Sequence, residues 1–246
     1  MSPYSKKVIS IFAFKNLAWH AVEQPVIAPK PDLTPLTGGY RKIPVLQIGA
    51  HIYCDTKLMI REIEKRHPET ALTPTELLGA AELIADWADY RLFSHAAGPS
   101  IFEIGNLVPK DFLADRAAMQ RPEVLAAALP VDHVKAQFVL DLQMINRQLE
   151  VTPFMLGERF TLADAATFHV LNFACNAPSL AEEVNKHTAI ANWLQAIRDM
   201  GEGQRSDMEP AEALNIARDA TPDYTPPADA IADEALPVGQ VIAIKP

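Results

Sequence analysis

Arg41-Lys42-Ile43-Pro44-Val45-Leu46-Gln47-Ile48-Gly49-Ala50-His51-Ile52-Tyr53-Cys54-Asp55-Thr56 is the stretch that decides the reading of this chain. An apolar run opened by a proline, a Gly49-Ala50 turn, a second short strand-like run and an acid-hydroxyl pair before a helical pattern make a strand–turn–strand–helix unit. Pro44 cannot donate to a sheet ladder, so it belongs at the first residue of a strand or on an edge. The residue before it is biased to extended backbone. Ile43 therefore offers an unpaired N–H and C=O, which can hold an extended peptide as an added strand would. Asp55-Thr56 at a helix start gathers a carboxylate, a hydroxyl and free backbone N–H groups. Together these groups suit the amine and carboxylate ends of a small peptide. A bare hairpin with an ordinary N-cap at Asp55 would use the same residues, and the segment alone leaves both readings open.

The run RKIPVLQIGAHIYCDTKLMIREIEKRHP, residues 41–68, resembles the glutathione-binding half of glutathione S-transferases. The resemblance implies a cis-proline at Pro44, with Ile43 as the backbone partner of the cysteinyl part of glutathione. It makes Asp55 and Thr56 the contacts of the γ-glutamyl end, in place of the family's usual Glu-Ser pair. The loop before Ile43 borders the glutathione site in that family, so Lys42, with Tyr40 and Arg41, is expected on its rim. Cations facing only water would read the same for Arg41 and Lys42.

Two further stretches carry the likeness. In FMLGERFTLADAATFHVLNFA, residues 154–174, Thr161 and Asp164 stand in N-cap and N3 relation before an apolar run. That pattern predicts a capped, buried helix with a role in folding, and it resembles the capped core helix of the transferases' C-terminal domain. At the other end, Ser2-Pro3-Tyr4-Ser5 resembles the turn whose serine hydroxyl donates to the glutathione thiolate, which makes Ser2 the candidate catalytic residue. A free thiol titrates near pH 8.5, and a hydroxyl donor beside a helix N-terminus stabilises its anion. Pro3 suits the first helical position and Ser2 its cap. In the family a full β-strand precedes this serine, whereas here only Met1 does. A start truncated upstream is therefore expected.

Composition fits a globular chain with one or two domains: 246 residues, 49% hydrophobic, mean hydropathy +0.01. No apolar run nears the roughly 20 residues that span a membrane. The opening lacks a signal peptide's apolar core, which makes the cytoplasm the default location. Cys54 and Cys175 form no disulfide framework and are expected to be buried, unreactive thiols. The formal net charge is −9, and the residues from Ser206 onward, with eight acids and two bases, carry most of it. An acidic chain without a basic cluster disfavours nucleic acid or an anionic membrane as partner.

Three regions separate. Residues 1–68 hold helix, strand, a loop punctuated by Pro25, Pro29, Pro31 and Pro35, two strands and a helix. That loop cannot hold a long helix. Residues 75–203 repeat apolar side chains at helical spacing and predict an all-α bundle. Its first helix is expected to open with a capping box of Thr73 and Glu76 around Pro74. Residues 206–246 form an acidic, proline-rich tail, with a short helix expected over 212–220 and a strand-like run at 240–246. Seven scattered histidines lack metal-site spacing, and His169 reads as a hydrogen-bonded structural residue. No nucleotide-binding glycine motif is present, so neither a metal nor a nucleotide is expected.

The fold expected is thus a thioredoxin-like α/β domain followed by an all-α helical domain. The resemblance implies attack of the glutathione thiolate on a small electrophile, glutathione as co-substrate, and a homodimer. Tyr90, Phe93 and Phe102 are the aromatics nominated for the acceptor pocket, though they suit a core or a subunit contact as well. A non-catalytic binding or interaction protein of the same fold, or a glutathione-dependent reductase or isomerase, are the alternatives.

Overall fold

A computed structural model describes residues 2–119 and 129–221, apart from the side chain of Asn106. Helix α1 (Pro3–Phe14) begins on a proline, where the missing N–H leaves nothing unpaired. It buries Val8, Ile11 and Phe12. Strand β1 (Ala18–Ala21) follows. The prolyl loop then admits one helical turn, α2 (Thr34–Thr37). Strands β2 (Val45–Ile48) and β3 (His51–Cys54) pair antiparallel, with Val45 opposite Cys54 and Ile48 opposite His51. Gly49 turns that hairpin at φ +58. Helix α3 (Thr56–Arg66) then packs Met59, Ile60 and Ile63 inward.

The helical part runs through α4 (Leu78–Trp87), a π-turn over Ala88–Leu92, α5 (Phe93–Ile104), α6 (Lys110–Ala117), α7 (Val131–Leu149), α8 (Leu162–Ala174), α9 (Pro178–Asn185) and α10 (Thr188–Asp199). Helix α8 is the hub, with every residue from Ala163 to Leu171 buried and with α1, α4, α5 and α10 packed around it. Its start is fixed by the Asp164 carboxylate, which accepts the Thr161 N–H at 2.9 Å and the Thr161 hydroxyl at 2.8 Å. The same carboxylate also accepts the Met155 N–H at 2.8 Å and the Trp193 indole N–H at 3.0 Å. The order is that of a thioredoxin-like unit followed by an all-α bundle.

Two local expectations are corrected. The Thr73–Glu76 capping box does not form, because the Thr73 hydroxyl accepts the Leu162 N–H at 3.2 Å and so serves α8 instead. A tight turn over Thr75–Leu77 leads into α4 in its place. The Ser2 side chain does not cap α1. The tail opens on a strand ahead of its expected helix. Strand β4 (Gln204–Asp207) runs parallel to β1, with Ala18 opposite Gln204 and Ala21 opposite Asp207. It is followed by α11 (Pro210–Asp219), which begins two residues before the expected 212–220 helix and ends one before its close, and which docks on β2 as Gln47 Nε2 donates to the Ala213 carbonyl at 2.8 Å. Only glycine fits at 203, where φ is +71 and a Cβ would stand 2.9 Å from the carbonyl oxygens of Phe12 and Leu17. Among the described residues the strands make two separate two-stranded sheets, β1 with β4 and β2 with β3. The strand-like run at 240–246 lies outside the described residues.

Candidate functional site

A cavity of about 1640 Å³ opens between the N-terminus of α1, the start of the β2–β3 hairpin and one face of α5. It also extends between the two small sheets, past Phe12, Leu46 and Met59. Ser2, Lys42, Ile43, Pro44, Asp55 and Thr56 all line it. The local folding that gathers them is simple: α1 delivers its first residue to the chain segment ahead of β2, and the β3–α3 junction lies beside both.

The Ser2 hydroxyl donates to the Ile43 carbonyl at 3.3 Å. It is thereby held at the cavity wall against the peptide unit preceding Pro44, and the Ile43–Pro44 bond is cis. A ligand thiolate here would compete for a hydroxyl proton that now has only a long hydrogen bond to give up. Asp55 adopts φ +76, a left-handed backbone that costs a non-glycine residue about 1–3 kcal/mol. It is retained while its side chain accepts the Lys57 N–H at 2.8 Å and caps α3. That bond engages one carboxylate oxygen, Oδ1. Tyr40 lines the same cavity, and burial followed by the nearby Asp55 charge pushes its phenol pKa up.

On the helical side the apolar wall is built by Phe93, Ala97, Ile101 and Ile104. These positions recur at the spacing of one helix face. Phe102 is one residue, about 100°, around the helix from Ile101. It is 74% exposed and lies outside the cavity lining, which corrects its nomination for the acceptor pocket. Tyr90 does line the cavity, with the Lys57 ammonium 5.4 Å from its ring centroid. Phe93 packs on Tyr4 at a centroid distance of 5.3 Å.

Behind Tyr4 lies a cluster that the sequence did not disclose. The Tyr4 hydroxyl donates to the Asp89 carbonyl at 2.8 Å, and its pKa is pushed up by burial first and then by Asp89. Asp89, on the π-turn, takes the Lys7 ammonium at 2.6 Å on Oδ2 and His169 Nε2 at 2.9 Å on Oδ1. Burial pushes the Asp89 carboxyl up, but the His169 and Lys7 contacts outweigh it and leave its pKa below the usual range. Burial lowers the His169 pKa despite Asp89, so the imidazole is neutral, with Nε2 protonated and Nδ1 buried without a partner. The reading of His169 as a hydrogen-bonded structural residue agrees with this geometry. The cluster ties α1 to the helical part directly beneath the cavity.

Of the rim residues, Lys42 is exposed, whereas Arg41 turns to Asp115 of α6. Cys54 and Cys175 are half-buried rather than buried, and desolvation raises both thiol pKa values, as suits unreactive thiols. Among the described residues no group of histidine, cysteine and acidic side chains could hold a metal ion. No helix among them is long and apolar enough to cross a membrane.

Residues 1–71 match the model of the glutathione S-transferase N-terminal domain. The chain is similar over most of its length to a GST-like protein from Pseudomonas syringae, at 35% identity and TM-score 0.74, over 92% of this chain and 74% of that one. A glutathione S-transferase from Methylobacillus flagellatus, solved with glutathione bound, is 21% identical, with TM-score 0.57 over 81% of this chain and 94% of that one. A glutathione S-transferase from Rhodospirillum rubrum is 18% identical, with TM-score 0.60 over 80% of this chain and 84% of that one. The last two likenesses speak to the fold alone. No curated protein matches.

Proposed function

Because the chain belongs to the glutathione S-transferase family, we propose that it binds glutathione and catalyses attack of the thiolate on a small electrophile. The observation that carries this reading is the meeting of Ser2, the Ile43 backbone and the Asp55-Thr56 pair on one cavity that also holds an apolar wall. Glutathione lies extended along Ile43, its amino end at Asp55 and Thr56 and its glycyl carboxylate near Lys42. Its sulfur, beside the N-terminus of α1, keeps its charge through the Ser2 hydroxyl and the helix dipole. Catalysis then rests on holding an ionised nucleophile and an acceptor in one orientation. The family resemblance extends the reading to a cytoplasmic homodimer with a detoxifying role.

Retention on immobilised glutathione, followed by conjugation of 1-chloro-2,4-dinitrobenzene, tests it. Ser2→Ala is expected to keep retention and to lower kcat about 10²-fold, the scale of losing one donor to a developing or held anion. Absence of retention would overturn the site. Retention without turnover would favour a non-catalytic binding protein.

A further inference from the structure

The prolyl loop and α6 bring three cations to one end of the cavity. Lys30, Arg41 and Arg116 all line it, next to Phe112 and Leu113. Lys30 is 3% exposed and its ammonium has the Pro25 carbonyl as its hydrogen-bond partner. Arg116 donates to the Val26 carbonyl at 2.8 Å, and its guanidinium carbon lies 4.5 Å from the Phe112 ring centroid. Asp115 answers Arg41 and, at 3.2 Å, Arg116, but it stands behind the lining rather than in it. Asp32 is the acid of that stretch of wall. The Arg41 Nε, moreover, is buried without an acceptor. Three cations thus face two carboxylates, and a cluster with that excess and an orphaned donor is stabilised by an anion.

We propose that Lys30, Arg41 and Arg116 form a carboxylate-binding corner that takes an acidic group on the acceptor substrate, whose apolar body lies against α5 and α6. This rests on the proposed glutathione-conjugating activity. Lys42, next to Ile43, is left to the glycyl carboxylate of glutathione, whereas the Arg116 guanidinium lies against the Phe112 ring of the lining. The acceptors that fit are aryl or alkyl electrophiles bearing a carboxylate.

The test is binding to the full chain by calorimetry, without glutathione, of 4-chloro-3-nitrobenzoate and its uncharged isostere 4-chloro-3-nitrobenzamide. The benzoate is expected to bind at least tenfold more tightly, and Arg116→Gln and Lys30→Met each to erase that preference while the Kd for glutathione changes less than twofold. Arg116, partly exposed, carries the test should the Lys30 variant fail to fold. Equal binding of the two probes, or a preference that survives Arg116→Gln, would overturn the corner. A parallel loss of glutathione affinity in Arg116→Gln would also overturn it, assigning the cations to the tripeptide. A benzoate preference in a protein that does not bind glutathione would support the corner and strike only the conjugating activity.

Discussion

Asp89→Asn isolates the buried charge cluster. The amide keeps the side-chain volume but removes the counter-charge of Lys7, whose side chain is 1% exposed and whose ammonium sits 2.6 Å from the carboxylate. Breaking a buried pair by neutralising one partner costs about 3–5 kcal/mol, since the remaining charge stays desolvated. Against a typical stability of about 5–15 kcal/mol the protein should still fold. With a urea slope of about 2–3 kcal/mol/M, the midpoint should fall by about 1–2.5 M at pH 7. Tryptophan fluorescence follows it, through Trp87 and Trp193 in the helical part and Trp19 in β1. The variant Lys7→Met/Asp89→Leu replaces the pair by apolar groups and should recover most of the loss. A loss below about 1 kcal/mol for Asp89→Asn, or a double variant as unstable as the sum of the single ones, would refute the view that the pair is a desolvated, mutually dependent unit.

Acid should act on the same cluster in two stages. His169 has a lowered folded pKa, so its contribution is complete above the unfolded value near 6.5 and is lost as pH falls below it. Asp89 is also lowered, so its contribution is present above about pH 4 and is lost as pH falls further. Urea midpoints measured from pH 8 to pH 4 should be flat above 7 and decline below 6.5, and His169→Gln should flatten the decline between 6.5 and 5. An unchanged slope there would exclude His169 as its source. Asp164→Ala strands the buried N–H groups of Thr161, Met155 and Trp193 and should cost at least about 3 kcal/mol, read as a shift in thermal midpoint; a loss under 1 kcal/mol would contradict that assignment. Phe93→Ala should raise the KM for an aromatic acceptor several-fold, whereas Phe102→Ala should leave it within twofold, and the reverse order would show the α5 face to be misassigned.

What could be read from the chain was what short-range rules govern. Pro44 at a strand entry, Gly49 at φ +58 in the hairpin and the Thr161–Asp164 helix start depend on residues a few positions apart, and they stand in the structure as the sequence suggests. Helix phase set the limit on α5: naming Phe102 rather than Ile101 followed aromatic character, while the angle around the helix decides which side chain meets the cavity. Thr73 looked like a cap for its own helix because nothing local reveals that Leu162, 89 positions away, needs an acceptor. The Lys7–Asp89–His169 cluster is likewise assembled from three helical segments: His169 reads as a structural residue from its helix, but nothing near it in the chain names Lys7 and Asp89 as its partners. Strand β4, Gln-Arg-Ser-Asp, has no apolar alternation at all and owes its pairing to its partner.

The β1–β4 ladder carries a temporal consequence. His20 meets Ser206 at 2.8 Å across 186 positions of chain, so strand β1, once it has left the ribosome, waits for almost the last element described. At about 5–20 residues per second, that wait is roughly 10–40 s. For its duration the margin of a half-made sheet is bare, and a bare margin recruits strands from neighbouring nascent chains. Yield in a producing cell should therefore depend on elongation speed and on chaperones that shield the opening residues more than on the durability of the finished molecule.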